Sequence, residues 1–220
     1  MLNKKTIIFI LVPLAIIIFG IVSYLFIFNT SRRTLNSAVK NMATIQNLHF
    51  TETASETKTN SEISNVSGDI VSPDKLRINL IPEIKDAETV IIDRNVYTSW
   101  LGNWTFVGNK KSEGFNIYNP QKFIDLLNFV SNVKSLGTEK ISDQDMQHLG
   151  FTIDKNEAQK TFSQSGNINY NGEVWIGKDD GLIHRMTITF IPDNPDEAPI
   201  KYQMDFSNFN SDIKIEEPKI

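Results

Sequence analysis

The chain has 220 residues, 40% of them hydrophobic and 22% charged, and no Cys. That is enough for one sizeable domain and too apolar for a disordered chain, and it excludes disulfides, thiolate metal sites and thiol nucleophiles. The net charge of −4 is split: residues 1–50 carry five Lys/Arg and no acid, and the remainder carries 17 Lys/Arg against 26 Asp/Glu, an acidic body that argues against nucleic acid as a partner.

Residues 6–28, TIIFILVPLAIIIFGIVSYLFIF, hold no charge. A membrane span needs about 20 apolar residues. The run exceeds the ~7–15 residues of a signal-peptide core, and no A-x-A-like site follows it. It therefore predicts one transmembrane helix, an uncleaved signal anchor behind a cytoplasmic head of residues 1–5. A linker (29–33) and an extracytoplasmic domain (34–220) follow. Lys4 and Lys5 on one side balance Arg32 and Arg33 on the other. Orientation therefore rests on the short head and the large domain after the span.

Leu35, Ala38, Val39, Met42 and Ile45 share a helical face, which predicts an amphipathic helix over 34–47. Residues 48–58 are polar and Thr-rich and read as an edge strand. A strand over 62–71 ends at the turn Ser72-Pro73-Asp74. Leu76, Ile78 and Leu80 then alternate with Lys75, Arg77 and Asn79. TVIIDRNVYTSWLGNWTFV predicts three short strands, divided at Asp93-Arg94-Asn95 and Leu101-Gly102-Asn103, in an antiparallel meander.

After Asn119-Pro120 the period changes. Phe123, Leu126, Leu127 and Val130 fall at i, i+3, i+4 and i+7, predicting a helix that opens at Pro120 and stops before Gly137. Within 142–165, GFTID reads as a strand and KNEAQKTF as a short helix or a loop. VWIGKDDGLIHRMTITF is a hairpin about Asp179-Asp180-Gly181, with Leu182, His184, Met186, Ile188 and Phe190 on its apolar face. A last strand carries Ile200, Tyr202, Met204 and Phe206 on one side. Eight or more strands at ~4.8 Å spacing make a sheet about 38 Å wide. Two helices, each ~10 Å across, cover about half of it. The rest of the apolar face calls for a ligand.

The order of these elements, from the helix beside the membrane segment through IVSPDKLRINL and VIIDRNVYTSWLGNWTFV to VWIGKDDGLIHRMTITF and YQMDFSNFNSDIKIEEP, resembles the LolA-like lipid carriers. The likeness is greatest to the actinobacterial LprG/LppX-type lipoprotein branch, and it spans residues 34–218. It implies an α+β fold: a half-barrel of curled antiparallel β-sheet with helices over the concave face, holding acyl lipids or lipoproteins in the hollow. The chain departs from that branch in lacking the lipidated Cys.

The expected function is a membrane-anchored, extracytoplasmic lipid-binding or lipid-transfer domain of a bacterial cell envelope, with its C-terminal domain outside the cytoplasmic membrane. The alternative is a protein-interaction or sensor ectodomain of the same fold. Leu126, Leu127, Val130, Met186, Ile188 and Met204 are the expected cavity lining, with ordinary core as the competing assignment. Trp100 and Trp104 flank a tight turn and mark either hairpin-edge packing or a rim at lipid headgroups. His49, His148 and His184 lack zinc-ligand spacing. Asp143, Asp145 and His148 read as a solvated loop, and His184 as a partly buried, hydrogen-bonded ring. No G-x-S-x-G, P-loop or dinucleotide pattern is present, so neither enzyme chemistry, cofactor nor metal is expected.

Overall fold

The computed structural model describes residues 30–80, 87–109, 120–162 and 168–220. The apolar segment 6–28 lies outside them. Among the described residues no helix is long and apolar enough to cross a membrane.

A first helix, α1, covers 30–42, so the expected linker residues 30–33 are already helical. Leu35, Ala38 and Met42 are its buried stripe, with Val39 and Ile45 packed at the margin. Six strands follow: β1 (Asn47–Glu56), β2 (Glu62–Val71), β3 (Lys75–Asn79), β4 (Glu88–Ile92), β5 (Asn95–Trp100) and β6 (Asn103–Asn109). Then come α2 (Pro120–Leu126), a 3-10 turn (Leu127–Phe129), β7 (Val130–Ile141), β8 (Gln144–Ile153), α3 (Lys155–Phe162), β9 (Ile168–Gly177), β10 (Ile183–Pro192) and β11 (Ile200–Ser207). All eleven strands form one curled antiparallel sheet in the order β6-β5-β4-β3-β2-β1-β11-β10-β9-β8-β7.

Two meanders thus meet where β1 pairs with β11, from His49↔Ser207 to Glu56↔Ile200. Tight hairpins build part of each meander, and α3 connects β8 to β9. Positive φ at Asp93 and Arg94, at Leu101 and Gly102, and at Ser142 and Asp143 is the left-handed pair that two-residue turns need to match strand twist.

Three expectations change. The Thr-rich segment is the central strand β1, flanked by β2 and β11; its inward residues Leu48, Phe50, Glu52 and Ala54 are all buried. The helix after Pro120 is short. From Val130 the chain is extended, and Gly137 (φ +124°) sits at an irregularity of the edge strand β7. Residues 142–153 are a tight turn and a full strand, so His148 is part of β8 and not of a loop.

Inner-face packing sets two glycines. A Cβ at Gly68 would overlap the Arg77 carbonyl oxygen and the Phe50 ring, and one at Gly172 would overlap the Phe151 ring and lie 2.8 Å from the Thr187 carbonyl oxygen. Each aromatic ring lies over the bare backbone of the neighbouring strand. Gly172→Val is expected to destabilise the domain by roughly 1–3 kcal/mol through overpacking, read as a lower denaturation midpoint. Unchanged stability would show that Phe151 swings away freely.

Candidate functional site

The inner face is organised in rows across the strands. One row runs through paired residues Val66, Glu52, Met204, Met186, Val174 and Leu149, on β2, β1, β11, β10, β9 and β8. Five of the six are apolar and all are buried. Phe50 and Phe206 pair in a neighbouring row, and Tyr202 pairs with Ile188 in another. Side chains on one face stand at alternate positions along a strand, so these rows form a continuous apolar surface.

Helices lie on this surface. Leu35, Ala38 and Met42 of α1, Phe123, Ile124 and Leu126 of α2, and Leu127 of the 3-10 turn share one core cluster with it. α1 is fastened at both ends. Near its start Arg32 Nη1 donates to the Val130 carbonyl oxygen (2.5 Å), and near its end Asn41 Nδ2 donates to the Gly181 carbonyl oxygen (3.1 Å). Beside the helix a cleft of about 640 Å³ opens, lined by Thr34, Ser37 and Asn41 on one wall and Gln147, Gly177 and Lys178 on the other. Ala38 and Ile176 also line it and belong to the core cluster. The volume is in the range of small-molecule sites.

Glu52 interrupts the apolar row. It is 2% exposed, and its Oε2 has no hydrogen-bond partner. Burial pushes its carboxyl up to about 7 from an ordinary 4.5, because the charged form loses its water.

All six residues expected to line a cavity fall in the one buried cluster: Leu126, Leu127, Val130, Met186, Ile188 and Met204. Met186 and Met204 are direct cross-strand partners. The two tryptophans part company. Trp100 is exposed at the β5–β6 tip. Trp104 packs on a second cluster of Val90, Tyr97 and Ile215, formed where the C-terminal tail crosses the outer face. There Lys75 Nζ donates to the Ile215 carbonyl oxygen (3.3 Å) and the Tyr97 hydroxyl donates to Glu217.

The histidines pair with acids. His184 stands at a shift in the β9–β10 register between Ile183 and Arg185. Ile183 takes the buried place, while His184 Nε2 lies 2.8 Å from Asp180 and its ring meets Phe209 edge-on. His148 stacks on Trp175 at 4.2 Å and contacts Glu139 (2.7 Å) and Glu173 (3.1 Å). Trp175 Nε1 donates to Glu139 at 3.0 Å. That donor first, and His148 after it, hold the Glu139 carboxyl below its usual range. The group ties the edge strand β7 to β8 and β9. Its members lie on three strands, Glu139 on β7, His148 on β8 and Glu173 and Trp175 on β9, and no spacing pattern announces it. No cluster among the described residues has the make-up of a metal site.

An open antiparallel sheet curled over short helices, with an apolar inner face, is the class of fold. Residues 30–215 match the LppX_LprAFG lipoprotein family, and the chain belongs to it. The Mycobacterium tuberculosis lipoprotein LppX superposes with a TM-score of 0.63 at 14% identity, over 86% of this chain and 99% of that one. LprF from Mycobacterium bovis gives 0.62 at 17%, over 86% and 97%. No curated protein matches the sequence.

Glu52 makes stability depend on pH. Its carboxyl is raised in the folded chain, so its stabilising state is the neutral one. That contribution is full below pH 4.5 and is lost as pH rises through about 7; the difference is about 3 kcal/mol. Glu52→Met is therefore expected to gain about 3 kcal/mol over the parent at pH 8 and to flatten this part of the pH profile in urea unfolding. An equal change at pH 4 and pH 8 would show that Glu52 is solvated.

Proposed function

We propose that this chain is an envelope lipid carrier tethered to its own membrane, which holds acyl chains between the helices and the inner face of the sheet. The observation that carries this reading is the apolar transverse row, Val66, Met204, Met186, Val174 and Leu149, on a sheet of eleven strands. At ~4.8 Å per strand the sheet is about 53 Å across, and three helices ~10 Å wide span little more than half of it. The lipoprotein family and the likeness to LppX and LprF support an extracytoplasmic setting.

Binding of this kind needs shape and apolar burial and no bond chemistry. Each buried methylene contributes ~0.8 kcal/mol, so a chain of ~14 grosses about 11 kcal/mol before association costs. Leu126, Leu127, Val130, Met186, Ile188 and Met204 are the assigned lining, and the cleft beside α1 is the way in. Residues 6–28 supply the attachment, since no Cys is present to carry a lipid. A sensor or protein-binding ectodomain is the second reading. It is favoured by the exposed hydrophobic residues Phe106 and Val107 on the edge strand β6, where a partner strand would add.

Residues 30–220, purified from cells, should yield acyl lipid in organic extracts by mass spectrometry, and after delipidation should take up a fluorescent fatty acid. Met186→Trp should lower that uptake per folded molecule. Folded protein with no lipid and no uptake would overturn the carrier reading in favour of the second.

The anchor has its own test. Membranes should hold a species near 25 kDa that resists carbonate extraction. A mature N-terminus near residue 30 would show that the segment is removed.

A further inference from the structure

The two ends of the sheet differ in chemistry. One end carries the turns β2–β3, β4–β5, β7–β8 and β9–β10. Asp74, Asp93, Asp143, Asp179 and Asp180 are exposed there, and no large hydrophobic residue in these turns is exposed. The other end carries the β1–β2 and β5–β6 tips, the end of β3 and the start of β7. Ile63 (58%), Trp100 (56%), Leu101 (64%) and Phe129 (50%) are exposed on it, with Leu80 beside them. The register fixes this common placement: Glu62 pairs with Ser55, Trp100 with Asn103, and Val130 with Ile153.

The start of α1 is at this same end. Arg32 reaches the carbonyl oxygens of Asn128 (3.4 Å) and Val130 (2.5 Å), on either side of Phe129. Residue 30 follows within two positions of the uncharged run 6–28. Phe129 therefore lies beside the start of α1, and the β1–β2 and β5–β6 tips are on the same end of the sheet as the point from which the chain leads back to the uncharged run.

We propose that the domain rests on its own membrane through this end, with Trp100 and Leu101 at the β5–β6 tip, Ile63 and Phe129 entering the headgroup layer of a lipid bilayer. The inference rests on the anchored-carrier reading and adds its orientation. Trp and apolar side chains on tight tips suit the interface, where a ring meets lipid on one side and water on the other. Arg33, exposed on the first turn of α1, adds a positive charge for anionic headgroups. Asp193, Asp196 and Glu197, exposed on the β10–β11 connection at the same end, confine the contact to the β2–β6 side and to the start of β7. The acidic turns of the far end then face away from the anionic surface.

The absence of Cys makes the test direct. Single substitutions Ile63→Cys, Leu101→Cys and Phe129→Cys, with Asp143→Cys and Asp179→Cys as far-end controls, are labelled with an environment-sensitive fluorophore. The full chain is reconstituted in phosphatidylcholine–phosphatidylglycerol vesicles. Nitroxide-bearing lipid should quench the first three labels, with a blue shift and a loss of iodide quenching, and leave the two controls open to iodide. Equal response at both ends would overturn the proposal. So would tips shielded from iodide but not quenched by lipid, which would mean that a second copy or another protein covers them. Lipid uptake by residues 30–220 is measured apart from this, so a domain that docks without carrying lipid is distinguished from one that carries lipid without docking.

Discussion

The pairing of β1 with β11 holds the two halves of the molecule in one sheet. Each meander forms from neighbours in sequence, but this seam joins residues as far apart as His49 and Ser207. Closing a loop of that length costs about 4–5 kcal/mol in chain entropy beyond a constant. Eight consecutive pairs offset it, with Phe50 against Phe206 and Glu52 against Met204 on the inner side. The seam also directs the tail. Just past β11, the Asn210 amide donates to the Asn47 carbonyl oxygen and its side-chain oxygen accepts from the Gln46 amide. The chain then crosses the outer face, so that Ile213 and Ile215 cover Val90 and Tyr97.

Local hairpins were the legible part of the sequence, because turn residues and period-2 alternation are local signals. The β2–β6 meander, the amphipathic face of α1 and the β9–β10 hairpin all follow from them. The elements misread are those where local pattern and tertiary setting disagree. Phe123 to Val130 shows a helical spacing, yet Val130, Val133 and Ile141 are β-branched residues on a strand, and the helix yields after Phe129. The Thr-rich stretch looked like an edge because Glu52 and three threonines made it polar. Its inward alternation of Leu48, Phe50 and Ala54 was the better signal. His184 is partly buried and hydrogen-bonded as its sequence reading has it, but the register shift between Ile183 and Arg185 makes Ile183 its buried neighbour, and no residue type marks that shift.

Of the inner face, the sequence showed the apolar residues and not the polar one among them. Leu126, Leu127, Val130, Met186, Ile188 and Met204 were recognisable by alternation and period, and they do share one cluster. Glu52 was hidden because its burial depends on β11 and β2 arriving from either side. Above neutral pH it opposes folding, whereas an apolar residue in its place would not. A buried carboxyl oxygen without a partner is a place where stability has been given up, and the row that contains it is the one the carrier reading gives to the ligand.

On the carrier reading, the helix α1 ties binding to the membrane. Its buried stripe covers part of the apolar face, and the chain before it leads to the uncharged segment. On the carrier reading an acyl chain entering from the cleft replaces the contacts of Leu35, Ala38 and Met42. Those contacts contribute on the order of 4–7 kcal/mol, at ~1.5–3 kcal/mol for each larger side chain and less for Ala. A chain of ~14 methylenes grosses about 11 kcal/mol, and association costs at least ~4 kcal/mol. The exchange is then close to balanced. A carrier needs that balance, since a face that bound lipid with the full burial energy would not release it. On that reading the helical cover is what makes an apolar face of this size usable for reversible transfer at a membrane to which residues 6–28 would join the same helix.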